Sequence, residues 1–378
     1  MYIAVKGGHA AISASYELLA QSRSDEAGIG ALSVVQIEQQ LGLLVSRVMA
    51  EAGVSDRKLA ALAIKQSCGD AVEAVFLLRA YRTTLPRFGT ASVLDTGAMR
   101  IRRRVSSIFK DLPGGQVLGS TFDYTQRLLD FSLLDECDSE SNKNSSDQLA
   151  QDVKSGSDDE GFSSPDALSA LIEEGLIEAA TADIGDPEPS DITEVPVQYP
   201  VDRCTRQQIM ARGDEGWLLG LAYSTQRGYS FTHPFAGEIR LGMATVSICP
   251  SELNFEIDIG EIELTECQMI NQFVGNAELA PSFTRGYALT LGHNERKAMA
   301  ISLIDRAQRV DEFTEERTAP AQDAEFALAH ADSVEASGFV QHLKLPHYVT
   351  FESELELIRQ LRAEHLNSNG SIKGDTDV

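Results

Sequence analysis

Apolar residues in the first third of the chain recur at helical spacing. After Ser33, residues Val34, Ile37, Leu41, Leu44, Val45 and Val48 fall on one face of a helix. Ser33 and Gln36 form a capping box: the serine side chain accepts from the Gln36 backbone and Gln36 reaches back. Gly53 is a natural stop, because a helix end favours a left-handed residue. Ser55 opens a second helix to about Gln66, and Asp70 with Glu73 opens a third carrying Val72, Val75, Phe76 and Leu78. Ahead of them, Tyr2–Val5 predicts a short strand. Beyond residue 200 the period is mixed. Asp214–Tyr223 predicts a helix with the only tryptophan, Trp217. Ala244–Cys249, Phe255–Ile259, Ile262–Thr265 and Gly286–Leu291 alternate or run apolar and predict strands. Asn294 caps a helix to about Gln308, Asp323–Glu335 predicts another, and Glu352–Leu366 is a final amphipathic helix with Leu355, Leu357, Ile358 and Leu361.

Between these regions the pattern breaks. DECDSESNKNSSDQLAQDVKSGSDDEG is acidic, serine-rich and almost without large apolar residues. Such a stretch buries too little surface to offset chain entropy, so a flexible insertion is expected, with a short helix at Pro165–Ile177. The prolines of IGDPEPSDITEVPVQYP then mark an extended approach to the next region. The expected architecture is α+β: a mostly helical domain over 1–134, an acidic linker over 135–195, and a mixed α/β domain over 196–378 with a largely antiparallel sheet.

Composition and charge narrow the class. A chain of 378 residues, 43% hydrophobic, forms a sizeable core. No long apolar run predicts a membrane span, and the N-terminal residues lack a signal-peptide pattern. Five scattered cysteines with no CxxC pair support neither a disulfide framework nor a zinc knuckle, which makes a reduced cytoplasmic location the expectation. The net charge is −25, yet residues 135–190 hold 16 acidic residues against only Lys143 and Lys154. Much of the acidity therefore belongs to one segment and says little about a site elsewhere.

Four stretches carry candidate chemistry. In HLKLPHYVT, His342 and His347 are five positions apart. On a helix they would point about 140° apart and on a strand to opposite faces, so only a bent segment brings both imidazoles together. Pro346 supplies the bend. Two zinc ligands from one loop would need a third from His330, His365, a cysteine or a partner chain; the alternative is two loop histidines bonded to backbone or water. Arg79, Arg82, Arg87, Arg100, Arg102, Arg103 and Arg104 form an arginine-rich region. It reads as polyphosphate binding or, more simply, as a solvated face or charged interface; without interleaved aromatics in an acidic chain, nucleic acid is disfavoured. KGGHA and LPGGQVLG are glycine loops able to cradle an anion or merely to turn, and neither matches a Walker or dinucleotide fingerprint. RGYSFTHPFAGEIR gathers Arg227, His233, Glu238 and Arg240, and SFTRGYAL places Arg285 similarly. Glu238 and His233 are the expected catalytic groups, a carboxylate being able to stabilise an oxocarbenium-like centre or orient a nucleophile. Arg240 and Arg285 are the expected phosphate or phosphonate contacts. The simpler reading of this stretch is an ordered loop with a surface ion pair.

Taken in order, MYIAVKGG, LSVVQIEQQL, FLLRAYRTTL, KDLPGGQVLG, DYTQRLLDF, RGDEGWLLGLAYSTQRGY, HPFAGEIR, ERKAMA, AQDAEFALAHADSVEASGFVQHLKLPHY and ELELIRQL resemble the I subunit of the bacterial carbon–phosphorus lyase core complex over almost the whole chain. The resemblance implies an enzyme subunit of phosphonate catabolism. It implies a reaction in which methylphosphonate displaces adenine from ATP to give ribose 1-methylphosphonate 5-triphosphate, and that the subunit alone can act as a purine nucleoside triphosphate nucleosidase with water as nucleophile. It further implies G, H and J partner subunits, the J subunit carrying the later radical cleavage with an iron–sulfur cluster; no cluster-type cysteine spacing occurs here. In the family the HLKLPH histidines bind zinc at the interface with the J subunit, which implies that role for His342 and His347. A non-catalytic scaffold supplying half of that zinc site is the alternative, and an independent zinc hydrolase a third.

Overall fold

The computed structural model describes residues 8–23, 30–138, 166–179, 190–229 and 232–372. These residues form an α+β protein, helical in its N-terminal part and mixed in its C-terminal part, with one four-stranded antiparallel sheet. The expected strand Tyr2–Val5 and most of the acidic segment lie outside the described residues. The chain divides into two compact units, Arg23–Ser333 and Met1–Ser22 with Val334–Val378.

In the larger unit, α2 (Val34–Gln40) and α3 (Gly42–Ala52) occupy the first expected helix, interrupted at Leu41. The Ser33 capping box is present on both sides, and Gly53 closes α3 in the left-handed conformation at φ 66°. Helix α4 (Arg57–Gln66) is capped by Asp56, one residue beyond the expected Ser55, and α5 (Ala71–Arg82) by Asp70. A short α6 (Ser169–Glu173) precedes α7 (Arg203–Arg212) and α8 (Glu215–Gln226), the latter capped by Asp214.

The sheet runs in the order β1 (Arg100–Val105), β2 (Phe235–Ile248), β3 (Ile257–Val274), β4 (Ser282–Leu291). It exceeds the strands expected from alternation. β2 starts nine residues earlier than Ala244, β3 is one strand where two were expected, and β1 carries four arginines of the region expected to bind polyphosphate or to form a solvated face or charged interface. The arginines are tolerated because each has a partner: Arg100 donates to Glu261, Arg102 to Glu263, Arg103 to Asp123 and Glu295, and Arg104 to Glu238. This region is thus internal ion pairing rather than a free basic face.

One face of the sheet is apolar. Ile239, Cys267, Met269 and Ala288 pack in one core with Ala298, Ile301 and Ile304 of α9 (Glu295–Ala307). Each fully buried isoleucine contributes roughly 1.5–3 kcal/mol. Gly286 is required there, since a Cβ would overlap the Ser302 carbonyl oxygen. Asn294 begins α9 as expected, but its amide donates to the Ser46 and Leu291 carbonyls rather than capping the helix. Helix α10 (Ala324–Ala329) follows; the single helix expected over Asp323–Glu335 is broken, because α11 (Ser333–His342) starts afresh.

The smaller unit holds most of α1 (Gly8–Arg23), most of α11 and the long α12 (Tyr348–Ile372), which starts before and ends after the expected Glu352–Leu366. Lys6 and Gly7 of KGGHA lie outside the described residues, and Gly8 opens α1.

Candidate functional site

Side chains two apart on a strand share a face. The face opposite the apolar core therefore receives Glu238 and Arg240 from β2, Glu266 and Gln268 from β3, and Arg285 and Tyr287 from β4. Register sets them side by side: Arg240 lies opposite Glu266, and Gln268 opposite Tyr287. The period-2 alternation of Glu266 and Gln268 against Cys267 and Met269, and of Arg285 and Tyr287 against Gly286 and Ala288, is the signal that could have found this face in the sequence.

All of these side chains but Glu238 line a cleft of about 380 Å³ in the larger unit. Arg240, Glu266, Gln268, Arg285 and Tyr287 form its sheet wall, while Arg203, Arg309, Asp166 and Glu178 come from neighbouring segments. Arg240 bonds Glu266 through Nε at 2.8 Å and also through Nη2. Arg203 grips Asp305 bidentately at 2.9 and 2.6 Å, and Arg309 grips Glu178 at 2.8 and 2.9 Å. Arg285 donates to the neutral Gln268 amide oxygen. The cleft is a charged, largely satisfied surface, with three of its four guanidiniums held in place by carboxylates.

The pKa shifts follow that arrangement. Burial opposes the charge of Arg203, Arg240 and Arg309, but their carboxylate bonds hold all three above the ordinary arginine value. Arg285 goes the other way: burial, with the fields of Arg203 and Arg309, pulls it below that value despite Asp166 and Glu178. Burial raises the Tyr287 phenol, and Glu266, which accepts its hydroxyl at 2.9 Å, raises it further, keeping the phenol a neutral donor. Glu266 also accepts from Thr96 at 2.9 Å.

Of the residues expected from sequence, Arg240 and Arg285 meet in this cleft. Glu238 does not line it: at 2% exposure its oxygens take Arg104 at 2.6 Å and the Ala167 backbone at 3.4 Å, and it stands 3.9 Å behind Arg240. Burial raises its pKa. His233 is exposed, its ring tilted against Phe235, and it is not among the lining residues. Sequence reasoning missed Glu266, Tyr287, Arg203 and Arg309. The LPGGQVLG loop aims carbonyls rather than N–H groups at a neighbour: Pro113 and Gly115 accept from Arg104 at 2.6 and 3.1 Å.

The histidine pair lies in the smaller unit. His342 ends α11 and His347 precedes α12; turn bonds Leu343 to Val340, Lys344 to Gln341 and Leu345 to His342 fold the segment back. The two Nε2 atoms are 3.0 Å apart, with rings nearly perpendicular. A carbonyl can only accept, so the 2.5 Å contact of His347 Nδ1 with the Leu345 oxygen makes Nδ1 the protonated nitrogen and leaves the Nε2 lone pair free to bind. Two imidazole nitrogens on one tetrahedral zinc sit roughly 3.3 Å apart, so the donor set fits the ion. Among the described residues, no cluster of three His, Cys, Asp or Glu forms around any point.

The fold and its cleft define an α+β protein with a charged cleft on one sheet face. A family model described as bacterial phosphonate metabolism protein (PhnI) matches residues 1–365, and the chain belongs to this family. It is 52% identical over 365 residues to the alpha-D-ribose 1-methylphosphonate 5-triphosphate synthase subunit PhnI of Rhizobium meliloti, covering 97% of this chain and 96% of that one. The protein of the same name from Escherichia coli is 52% identical over 364 residues, 96% of this chain and 99% of that one. A putative C-P lyase subunit protein HtxH of Stutzerimonas stutzeri is 41% identical over 360 residues, 95% of each chain. Among the described residues, no helix is long and apolar enough to cross a membrane.

Proposed function

We propose that this chain is a subunit of a carbon–phosphorus lyase complex that transfers the ribose triphosphate moiety of ATP to methylphosphonate, releasing adenine. The observation that carries the reading is the near-full-length 52% identity to relatives named as subunits of the synthase that makes this product. Arg240 and Arg285 meeting in one cleft gives that chemistry a place to bind an anionic substrate. The reaction breaks the C1′–N9 bond, its electron pair leaving with adenine, and forms a C1′–O bond to the phosphonate. Positive charge develops at the ribose, so a fixed carboxylate facing the cleft favours the transition state. Glu266 has that position, and Glu238 supports Arg240 from behind as a positioning residue. His233, exposed beside Phe235, would act only on a substrate reaching that surface. With water in place of phosphonate the same step is nucleosidase activity.

The partners proposed are G, H and J subunits, in the cytoplasm. His342 and His347 would hold zinc together with a ligand from the J subunit, and bound zinc would pin that turn to its partner. The test is the co-purified complex with ATP and methylphosphonate: adenine is released and a new phosphonate ester forms, read by chromatography and phosphorus NMR. No adenine release overturns the proposal.

A second reading is favoured by the histidine turn. Phe339, Val340, Leu343, Tyr348 and Val349 around it are all more than half exposed. An apolar surface beside half a metal site suits a scaffold that docks a partner. Failure of the isolated chain to bind ATP in a titration would favour that reading.

A further inference from the structure

The cleft contains four arginines but very little free positive charge. Against Arg203, Arg240, Arg285 and Arg309 stand Asp166, Glu178 and Glu266 in the same lining, a balance of one positive charge. With Asp305 behind Arg203 and Glu312 behind Arg309 the sum becomes one negative charge, so only a locally unpaired guanidinium can hold an anion here. Only Arg285, among these four, has no carboxylate within ion-pair distance among the described residues; its side-chain bond goes to Gln268. Arg203 and Arg240 each bind their carboxylate through Nε and Nη2, which leaves Nη1 without a hydrogen-bond partner among the described residues.

A triphosphate carries about four negative charges near neutral pH and is held by several unpaired cations or by metal ions. Glu178, Glu266 and Asp166 would repel it here. A single tetrahedral oxyanion of one or two charges is matched by one unpaired guanidinium and two further N–H donors. We infer that this cleft is the acceptor subsite, taking the small phosphonate at Arg285, and that the triphosphate of the nucleotide binds elsewhere. The inference rests on the proposed function for the identity of the acceptor, while the anion size follows from the charges alone.

The experiment is calorimetric titration of the co-purified complex with methylphosphonate, inorganic phosphate, tripolyphosphate and ATP, in wild type, Arg285→Gln and Gln268→Glu. Gln268→Glu is nearly isosteric and sets a carboxylate against Arg285, so it keeps the fold while cancelling the charge. Both variants are expected to weaken methylphosphonate at least tenfold and to leave ATP and tripolyphosphate within about twofold. Inorganic phosphate should compete with methylphosphonate, and tripolyphosphate should not. Equal weakening of ATP, unchanged methylphosphonate binding in both variants, or no binding of either small anion to wild type overturns the inference. Loss of adenine release in wild type with small-anion binding intact would instead overturn the proposed function.

Discussion

His342 Nε2 and His347 Nε2 face each other at 3.0 Å across the Leu343–Pro346 turn. The contact joins the end of one helix to the start of the next, and the Leu345 carbonyl fixes which nitrogen of His347 is free. If the pair is a zinc half-site, His342→Ala or His347→Ala should each remove the metal from the purified complex. Elemental analysis should fall from about one zinc per subunit to near zero. Zinc retained in both variants would exclude this turn as its ligand source.

Glu266 faces the cleft with its oxygens fixed by Arg240, Tyr287 and Thr96. Glu266→Gln keeps the shape and removes the charge. Adenine release should slow roughly 100-fold, the scale of losing one preorganised electrostatic contact. The KM for ATP should change little; a rise in KM with kcat intact would make Glu266 a binding residue only.

Glu238 and Arg104 form a buried pair, 2% and 0% exposed. Glu238→Ala removes the buried carboxylate that accepts from the Arg104 guanidinium, a loss of about 3–5 kcal/mol. Urea unfolding should show it as a lower midpoint, with Glu238→Gln nearer to wild type. A fully stable Glu238→Ala protein that has lost turnover would restore the catalytic role that its loop position suggested.

Lys297 is wholly buried beside Glu51 and Glu215, with Arg47 and Asp214 nearby, and its Nζ has no hydrogen-bond partner among the described residues. Burial pushes its pKa down to about 8 despite the carboxylates. The unfolded chain, with an ordinary lysine, binds more protons between about pH 8 and the lysine range near 10.5. Stability should therefore rise with pH across that window, by on the order of 3 kcal/mol from this group. Comparing unfolding at pH 7.5 and 10, the rise should shrink in Lys297→Met; an identical rise would assign it to other groups.

Gly286 lets α9 approach β4 next to Arg285. Gly286→Ala should force the helix from the sheet and cost about 1–3 kcal/mol, as overpacking does. Thermal unfolding checks it: an unchanged midpoint would mean the contact relaxes freely.

The sequence by itself determined the local events. Ser33, Gly53, Asp70 and Asp214 cap where their chemistry says they must, because a cap needs only its own neighbours. The bend at Pro346 was equally legible, since proline acts on adjacent residues, and the α+β class followed from the change of period. The tertiary structure alone decided the cleft. Arg240 and Glu266 are 26 residues apart in the chain yet opposite in register, and Arg203 and Arg309 enter from separate segments. It also reassigned Arg104 from a presumed basic face to a buried partner of Glu238, 134 residues away. Which charges neutralise one another is a matter of distance in space, and that is why the one arginine left without a carboxylate, Arg285, could be identified only after the strands were paired.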